Sequence, residues 1–226
     1  MENIKKEKVL INSTGPIFIN TAERIIYQMK NCLCKIICKN GRGSGFFCKI
    51  PYPDQSHLLP VLITTDFVID SEVKEGNSIE ISLNDDYEFR KIKLKNRKIY
   101  MNEEMNSAFI EILPEDKINN FLEIDNNLFK DDNSLEYIYK GTTIYILHYP
   151  KGERAAMNSG IFKRLIEKKI FHLCNTDSGS SGGPIILLNS LKVIGFNIGS
   201  TMKSEENMGI LIKYPIHEFI INNIGH

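Results

Sequence analysis

The stretch Thr176-Asp177-Ser178-Gly179-Ser180-Ser181-Gly182-Gly183-Pro184 leads directly into an apolar run at residues 185–188. Gly179 allows a tight turn in which the N–H groups of Gly179 and Ser181 point at one spot, and the later glycines leave space beside the Ser181 hydroxyl. Two convergent backbone donors beside a hydroxyl form the oxyanion hole of acyl transfer. The pattern therefore predicts a nucleophile loop at Ser181, with an oxyanion hole at Gly179, Ser180 and Ser181. The alternative is a plain Gly/Ser-rich loop between two strands.

Two further stretches, together with this loop, resemble the trypsin-like serine proteases of the chymotrypsin fold. Residues 43–48 read Gly-Ser-Gly-Phe-Phe-Cys, similar to the Gly-x-Gly-Phe strand that opens the first barrel of that family. Residues 62–69 read Leu-Ile-Thr-Thr-Asp-Phe-Val-Ile, similar to the family's Leu-Ile-Thr-x-x-His-Val segment. The resemblance extends from about Gly43 to the C-terminus. It implies an all-β fold of two six-stranded antiparallel β-barrels, and the many short strands with polar turns favour barrels independently.

The catalytic triad of that family is incomplete in this sequence. Phe67 occupies the position of the histidine that acts as general base. Asn106, in the stretch Asn-Ser-Ala-Phe-Ile-Glu-Ile, occupies the position of the aspartate. A serine hydroxyl is a weak nucleophile until an adjacent base takes its proton, and phenylalanine has no lone pair for that purpose. With Ser181 alone retained, the sequence predicts a protease fold without protease chemistry.

A substitute base is the alternative to that interpretation. The chain has five histidines: His57, His148, His172, His217 and His226. His148 lies at the end of a predicted strand of the second barrel, and His172 precedes the nucleophile loop, from where it could reach the substrate pocket. An isolated histidine is more often structural than catalytic, and Asp66 is a poor base at its ordinary pKa.

The resemblance also assigns a substrate pocket to Asn175, Thr176 and Asn197. The glutamyl-endopeptidase-like branch of the family matches best, because it has Thr at the position of Thr176. That branch has His at the position of Asn197, so recognition of an acidic side chain is in question. Ser180 stands where trypsin has the aspartate that pairs with a new N-terminus, so activation by that ion pair is not expected.

Charge and cysteine content limit the partners and the compartment. The chain has 226 residues, and its 28 Lys and Arg balance its 28 Asp and Glu, which gives no reason to expect nucleic acid or a membrane as partner. We find no signal peptide and no apolar run long enough for a bilayer, so we expect an intracellular, cytoplasmic protein. The cysteines are Cys32, Cys34, Cys38, Cys48 and Cys174. Their spacing lacks the paired Cys-x-x-Cys of structural zinc, so we expect reduced thiols, no metal and no cofactor.

The order of predicted elements divides the chain into four parts. Residues 1–30 form an N-terminal extension with a short helix, for which Asn20 is the predicted N-cap because Glu23 follows three residues later. Residues 31–113 form the first barrel, residues 114–135 the connection, and residues 136–226 the second barrel with a C-terminal helix. That helix is predicted to begin at Tyr214-Pro215.

The sequence therefore favours a pseudoprotease that binds a protein or peptide, with the cleft kept and turnover lost. The first alternative is a serine endopeptidase that uses an unconventional base. The second is a structural or assembly protein that uses surfaces away from the cleft. The oligomeric state is left open by the sequence.

Overall fold

The first of two sheets contains seven antiparallel strands. The structure, a computed structural model, describes residues 14–38, 41–69, 78–200 and 205–223. The strands of this sheet are β1 Leu33–Cys38, β2 Gly41–Pro51, β3 Leu58–Thr64, β4 Ser78–Leu83, β5 Glu88–Lys93, β6 Ile99–Asn102 and β7 Ser107–Glu111. They are hydrogen-bonded in the order β5-β4-β1-β2-β3-β7-β6. The sheet is a curled half-barrel in which β2 pairs with both β1 and β3.

The second sheet closes on itself as a six-stranded barrel. Its strands are β8 Thr143–His148, β9 Ala156–Ile166, β10 Lys169–His172, β11 Pro184–Leu187, β12 Val193–Ser200 and β13 Asn207–Leu211, in the order β10-β13-β12-β11-β8-β9. The predicted all-β, two-barrel class is confirmed. The first sheet has seven strands and is not the closed six-stranded barrel that was predicted. The sequence could not show this difference, because alternation along a strand indicates which face is buried but not whether the outermost strands pair.

Three helices accompany the sheets within the described residues: α1 Ile19–Asn31, α2 Asp132–Tyr139 and α3 Lys213–Asn223. The predicted cap at Asn20 is wrong. Phe18 is the N-cap, with no side-chain cap bond, and the Ala22 N–H donates to Phe18 O at 2.9 Å, so Asn20 lies inside the first turn. The helix at the C-terminus is confirmed and begins at Lys213. The sequence did not predict α2, which crosses the expected boundary between connection and second barrel.

Alternation along β2 divides the apolar interior into two clusters. Successive side chains of a strand point to opposite faces, so Phe46 and Phe47 belong to different clusters. The cluster around Phe46 continues into the second barrel at Phe196 and reaches α3 at Phe219, whose ring is 6.1 Å from that of Phe109. A continuous apolar cluster therefore joins the two sheets and fixes their relative position, at the junction where the candidate site lies.

A buried ion pair fixes the chain as it leaves β7. Arg97 and Asp116 are 1% and 4% exposed, and two guanidinium nitrogens donate to the two carboxylate oxygens at 2.8 and 3.2 Å. Arg97 also donates to the carbonyl oxygen of Glu111, and Asp116 accepts the N–H of Leu113. Since most of their polar atoms are bonded, the two charges are tolerated away from water.

None of the helices in the described ranges has the length and apolar character needed to cross a membrane.

Candidate functional site

Phe67 and Ser181 line the same small cavity, so the structure brings together the positions predicted for base and nucleophile. Phe67 lies in the 3-10 turn Asp66–Val68 after β3, and its side chain is 53% exposed. The cavity has a volume of about 170 Å³ and is lined by Cys38, Gly41, Arg42, Gly43, Phe67, Val68, Gly179 and Ser181. None of these eight residues carries an imidazole or a carboxylate, and the Cys38 thiol donates to Val68 O at 2.8 Å. The described wall of the cavity therefore lacks the histidine that would act as general base for the Ser181 hydroxyl.

Phe67 and Asn106 lie at the same end of the β3–β7 pair. That pairing ends at Thr64 and Ala108, β3 is followed by the turn Asp66–Val68, and Asn106 comes directly before β7. The alignment of Asn106 behind Phe67, as in a triad, stays a prediction. Its φ is +46°, in the left-handed region that asparagine tolerates better than most residues. Its neutral amide supplies no negative charge to the site.

Residues 177–180 form a type II turn, which sets the conformation of the loop. The Ser180 N–H donates to Asp177 O at 3.0 Å, and Gly179 at the third position has a φ of +82°. A Cβ on Gly179 would lie 2.6 Å from both Gly152 N and Tyr149 O. Glycine is therefore required at this position for backbone conformation and for space. Because the Ser180 N–H is engaged in the turn, only two of the three predicted oxyanion-hole residues have N–H groups left for a ligand.

The carbonyl of Ser178 fixes the direction of the Gly179 N–H. Ser178 O accepts the N–H of Lys151 at 2.5 Å. A trans peptide places the carbonyl and the following N–H on opposite sides, so the Gly179 N–H points away from Lys151. Among the described residues, neither the Gly179 N–H nor the Ser181 N–H has a hydrogen-bond acceptor. Both donors remain available, as an oxyanion hole requires, although their convergence stays a prediction.

Ser44 of β2 attaches this loop to the first sheet. Its N–H donates to Ser181 O at 2.9 Å, and its own carbonyl oxygen accepts the Thr64 hydroxyl at 2.8 Å. A Cβ on Gly182 would lie 2.0 Å from Ser44 O, so the loop and β2 are in close backbone contact. The sequence motif Gly-Ser-Gly at 43–45 therefore positions the loop as well as forming part of β2.

A histidine lies beside the neighbouring serine, Ser180, and not beside Ser181. His148 Nδ1 is 2.6 Å from Ser180 Oγ, and both residues are fully buried. The same hydroxyl accepts the Asp177 N–H at 2.9 Å, and Asn158 Nδ2 lies 3.0 Å from His148 Nε2. Burial lowers the pKa of His148 to about 4, so the imidazole is neutral near pH 7. Sequence reasoning missed this pair, because the residues are 32 positions apart and Ser180 was assigned only by its place in the loop.

The predicted substrate-pocket residues differ in their exposure. Asn175 is exposed and Thr176 is half-buried, whereas Asn197 is fully buried. Asn197 Nδ2 donates to Ser180 O at 3.3 Å, which places the side chain beneath the loop. His172 is also fully buried, and burial lowers its pKa to about 4. The nearby Asn197 amide raises the His172 pKa by less than burial lowers it. Among the described residues, neither ring nitrogen of His172 has a hydrogen-bond partner. The assignment of a substrate pocket to these residues stays a prediction.

The other candidate bases lie away from the cavity wall. His57 is exposed, and its Nδ1 is 3.0 Å from Asp54 Oδ1. His217 is exposed on α3. His226 lies outside the described residues.

The cysteines are free thiols, and burial raises the pKa of most of them. The pKa of Cys32 and of Cys174 is raised to about 12, and that of Cys34 and Cys48 is raised as well. These four thiols are therefore protonated at neutral pH. Within the described ranges, no group of three His, Cys, Asp or Glu side chains is arranged to hold a metal ion.

Comparison with solved structures identifies the class to which this fold belongs. No family model and no curated protein matches the sequence. The chain is similar to the Rv3671c protease from M. tuberculosis in its active form, with a TM-score of 0.64, 14% identity and coverage of 100% of this chain and 95% of that one. It is similar to Deg5, with a TM-score of 0.61, 17% identity and coverage of 88% of this chain and 91% of that one. It is also similar to the serine endoprotease from Yersinia pestis, with a TM-score of 0.63, 14% identity and coverage of 92% of this chain and 68% of that one. The chain has the trypsin-like serine protease fold. The relationship to the glutamyl-endopeptidase-like branch stays a prediction.

Proposed function

We propose that the chain is a pseudoprotease that binds a protein or peptide in the cleft beside Ser181. One observation carries the proposal: Phe67, more than half exposed, lines the Ser181 cavity at the position of the general base. Without a base the serine hydroxyl remains a weak nucleophile. In a related constellation, loss of the base lowers turnover on the order of a millionfold.

Retained features of the cleft support a binding role. The cavity is present, and the turn that holds the Gly179 N–H is intact although no histidine or carboxylate lines the cavity among the described residues. Gly41 and Arg42, at the start of β2, are exposed beside the cavity. An extended peptide can add its main chain to such backbone and place one side chain in a pocket. The cysteines are free thiols and not disulfides, which fits a reducing compartment, so the proposal includes an intracellular location.

A serine endopeptidase with an unconventional base is the second candidate, and the Ser180–His148 pair is the observation that favours it. A neutral imidazole 2.6 Å from a serine hydroxyl has the composition of a nucleophile and its base. Both side chains are fully buried, however, and the hydroxyl already accepts the Asp177 N–H. A substrate carbonyl could reach Ser180 Oγ only after the loop had opened. The pair is better explained as structural support beneath the loop.

Labelling with a fluorophosphonate probe separates the two candidates. We expect the wild-type chain to label no faster than Ser181→Ala, because no base activates Ser181. Rapid stoichiometric labelling that is lost in Ser181→Ala would overturn the pseudoprotease proposal. Labelling that survives Ser181→Ala and is lost in Ser180→Ala would instead support an endopeptidase built on Ser180 and His148. Thermal unfolding of each variant shows whether loss of labelling reflects loss of fold.

A further inference from the structure

We propose that the ligand of this cleft is the C-terminal end of a polypeptide, whose α-carboxylate binds the N–H groups of Gly179 and Ser181 and the guanidinium of Arg42. The inference rests on the proposed function, because it names the ligand of the same site. It distinguishes a free chain end from an internal segment of a protein.

The chemistry of the two backbone donors favours an anion. An oxyanion hole is complementary to the charge that develops when a nucleophile attacks a carbonyl. No described base activates Ser181, so that charged species does not form here from an internal peptide bond. A carboxylate carries its negative charge in the ground state and accepts charge-assisted hydrogen bonds from N–H groups, which are stronger than those to a neutral carbonyl. Of the groups on a peptide, the terminal carboxylate therefore gains most from these donors.

Arg42 is the charged side chain in the described wall of the cavity. Its Nη1 donates to Gly152 O at 3.1 Å, and the position of a Cβ on Gly179 would be 2.6 Å from Gly152 N. Gly152 is thus a shared neighbour that holds Arg42 close to the turn. A guanidinium has five N–H donors, so one bond to Gly152 leaves others for a carboxylate.

The residue at the aspartate position removes a charge that would repel a carboxylate. An active triad has an aspartate at the position of Asn106, whose amide is neutral. No carboxylate lines this cavity among the described residues, and Arg42 is its charged side chain. Arg42 also lines a second cavity with Asp86, whose pKa its charge helps to lower, so the ligand's carboxylate would compete with Asp86 for the guanidinium.

The walls of the cavity predict the chemistry of the terminal residue. Phe67 and Val68 contribute apolar side chains to the wall, and a Cβ on Gly43 would be 2.5 Å from Val68 Cγ2, so the wall is tightly packed at Val68. A volume of about 170 Å³ has room for a single side chain. We therefore expect an apolar C-terminal residue, with its carboxylate toward Arg42 and the loop.

The test uses two pools of degenerate heptapeptides of identical composition, one with a free α-carboxylate and one with an α-carboxamide. The full-length chain is used to select binders from each pool, and affinities are measured by fluorescence anisotropy. We expect binders from the free-acid pool, ending in an apolar residue, whose affinity falls roughly tenfold or more on amidation. Arg42→Ala should lower the affinity for the free-acid peptide by a similar factor. The matched control is Arg154→Ala, which removes the same charge from an exposed residue outside the cavity wall and should change affinity less than about twofold.

Each outcome bears on one proposal or on both. Equal affinity for acid and amide, or no effect of Arg42→Ala, would overturn the C-terminal inference and leave the peptide-binding proposal standing. Selection of no binder from either pool would overturn both the inference and the peptide ligand of the proposed function. Cleavage of the selected peptides would overturn the non-catalytic proposal independently of which end is bound.

Discussion

The hydroxyl of Ser44 donates to the carbonyl oxygen of Gly179 at 2.7 Å, and this bond crosses from the first sheet to the loop of the second barrel. Ser44 Oγ in turn accepts the Tyr149 N–H at 2.9 Å, next to the strand end that carries His148. One buried side chain on β2 thus holds both segments that surround the type II turn. The loop is built into the junction of the two sheets, so the bonds that hold it there do not involve Phe67 or Asn106.

Substitution Ser44→Ala should lower the free energy of unfolding by about 1 to 3 kcal/mol. The change leaves the buried Tyr149 N–H and the Gly179 carbonyl without these partners, and an unpaired buried polar group costs about that much. Denaturant unfolding monitored by circular dichroism provides the measurement. Ser56→Ala is the control, because Ser56 is exposed and its loss should change stability by less than about 0.5 kcal/mol. Equal stability of Ser44→Ala and wild type would show that this bond does not support the loop.

The fold was predictable where the sequence carries position-specific chemistry. Three segments indicated both sheets: the glycines at 43 and 45, the apolar run after Pro184 and the segment around Phe67. They also predicted that Phe67 and Ser181 share one site, and both residues line the same cavity. The Ser180–His148 pair was not predictable, because it joins residues 32 positions apart that carry no shared motif. The predicted helix cap at Asn20 was wrong because the helix begins two residues earlier, with Phe18 as its N-cap. Whether the outer strands of the first sheet pair depends on curvature, which alternation does not encode.

The buried Arg97–Asp116 pair predicts a difference between single and double substitutions. Arg97→Leu or Asp116→Leu alone should lower the free energy of unfolding by about 3 to 5 kcal/mol, because each leaves an uncompensated buried charge. The double variant removes both charges and should be less destabilised than the sum of the two. Chemical denaturation of all four proteins gives the coupling energy. Strict additivity would show that the pair is not coupled in the folded protein. The exposed pair Lys140–Glu136 is the control, with an expected coupling below about 1 kcal/mol.

The two buried imidazoles predict a loss of stability at acidic pH. His148 and His172 each have a pKa of about 4 in the folded protein, below the ordinary value of about 6.5. Between these values the unfolded chain binds more protons, so stability is full above about pH 6.5 and falls as the pH is lowered toward 4. The loss should be on the order of 3 kcal/mol per imidazole.

Urea unfolding between pH 7.5 and 4.5 measures this loss. His217→Ala is the control, because His217 is exposed on α3 and its substitution leaves both buried imidazoles in place. His172→Gln should reduce the slope by about half, since it removes one of the two titrating groups. A wild-type stability that stays constant across this range would contradict the neutral buried state of both imidazoles.

Restoring the triad positions should change catalysis and carboxylate binding in opposite directions. The double variant Phe67→His, Asn106→Asp places an imidazole in the wall of the Ser181 cavity and a carboxylate at the position of the triad aspartate. Fluorophosphonate labelling of Ser181 should then rise at least about a hundredfold over wild type, the usual contribution of a positioned general base. Affinity for a free-acid peptide should fall severalfold in Asn106→Asp alone, because the new negative charge opposes the ligand's carboxylate, while affinity for the matched amide should stay unchanged.

Asn106→Ser is the control for that charge, since it alters the side chain without adding an anion. Loss of acid binding in both Asn106 variants would indicate damage to the turn and not repulsion. No gain of labelling in the folded double variant would point to a blocked cleft or to Gly179 and Ser181 donors that do not converge. Either result would count against the carboxylate site as well as the acyl-transfer comparison, because both require an open cleft in which the same two N–H groups meet at one oxygen-sized position.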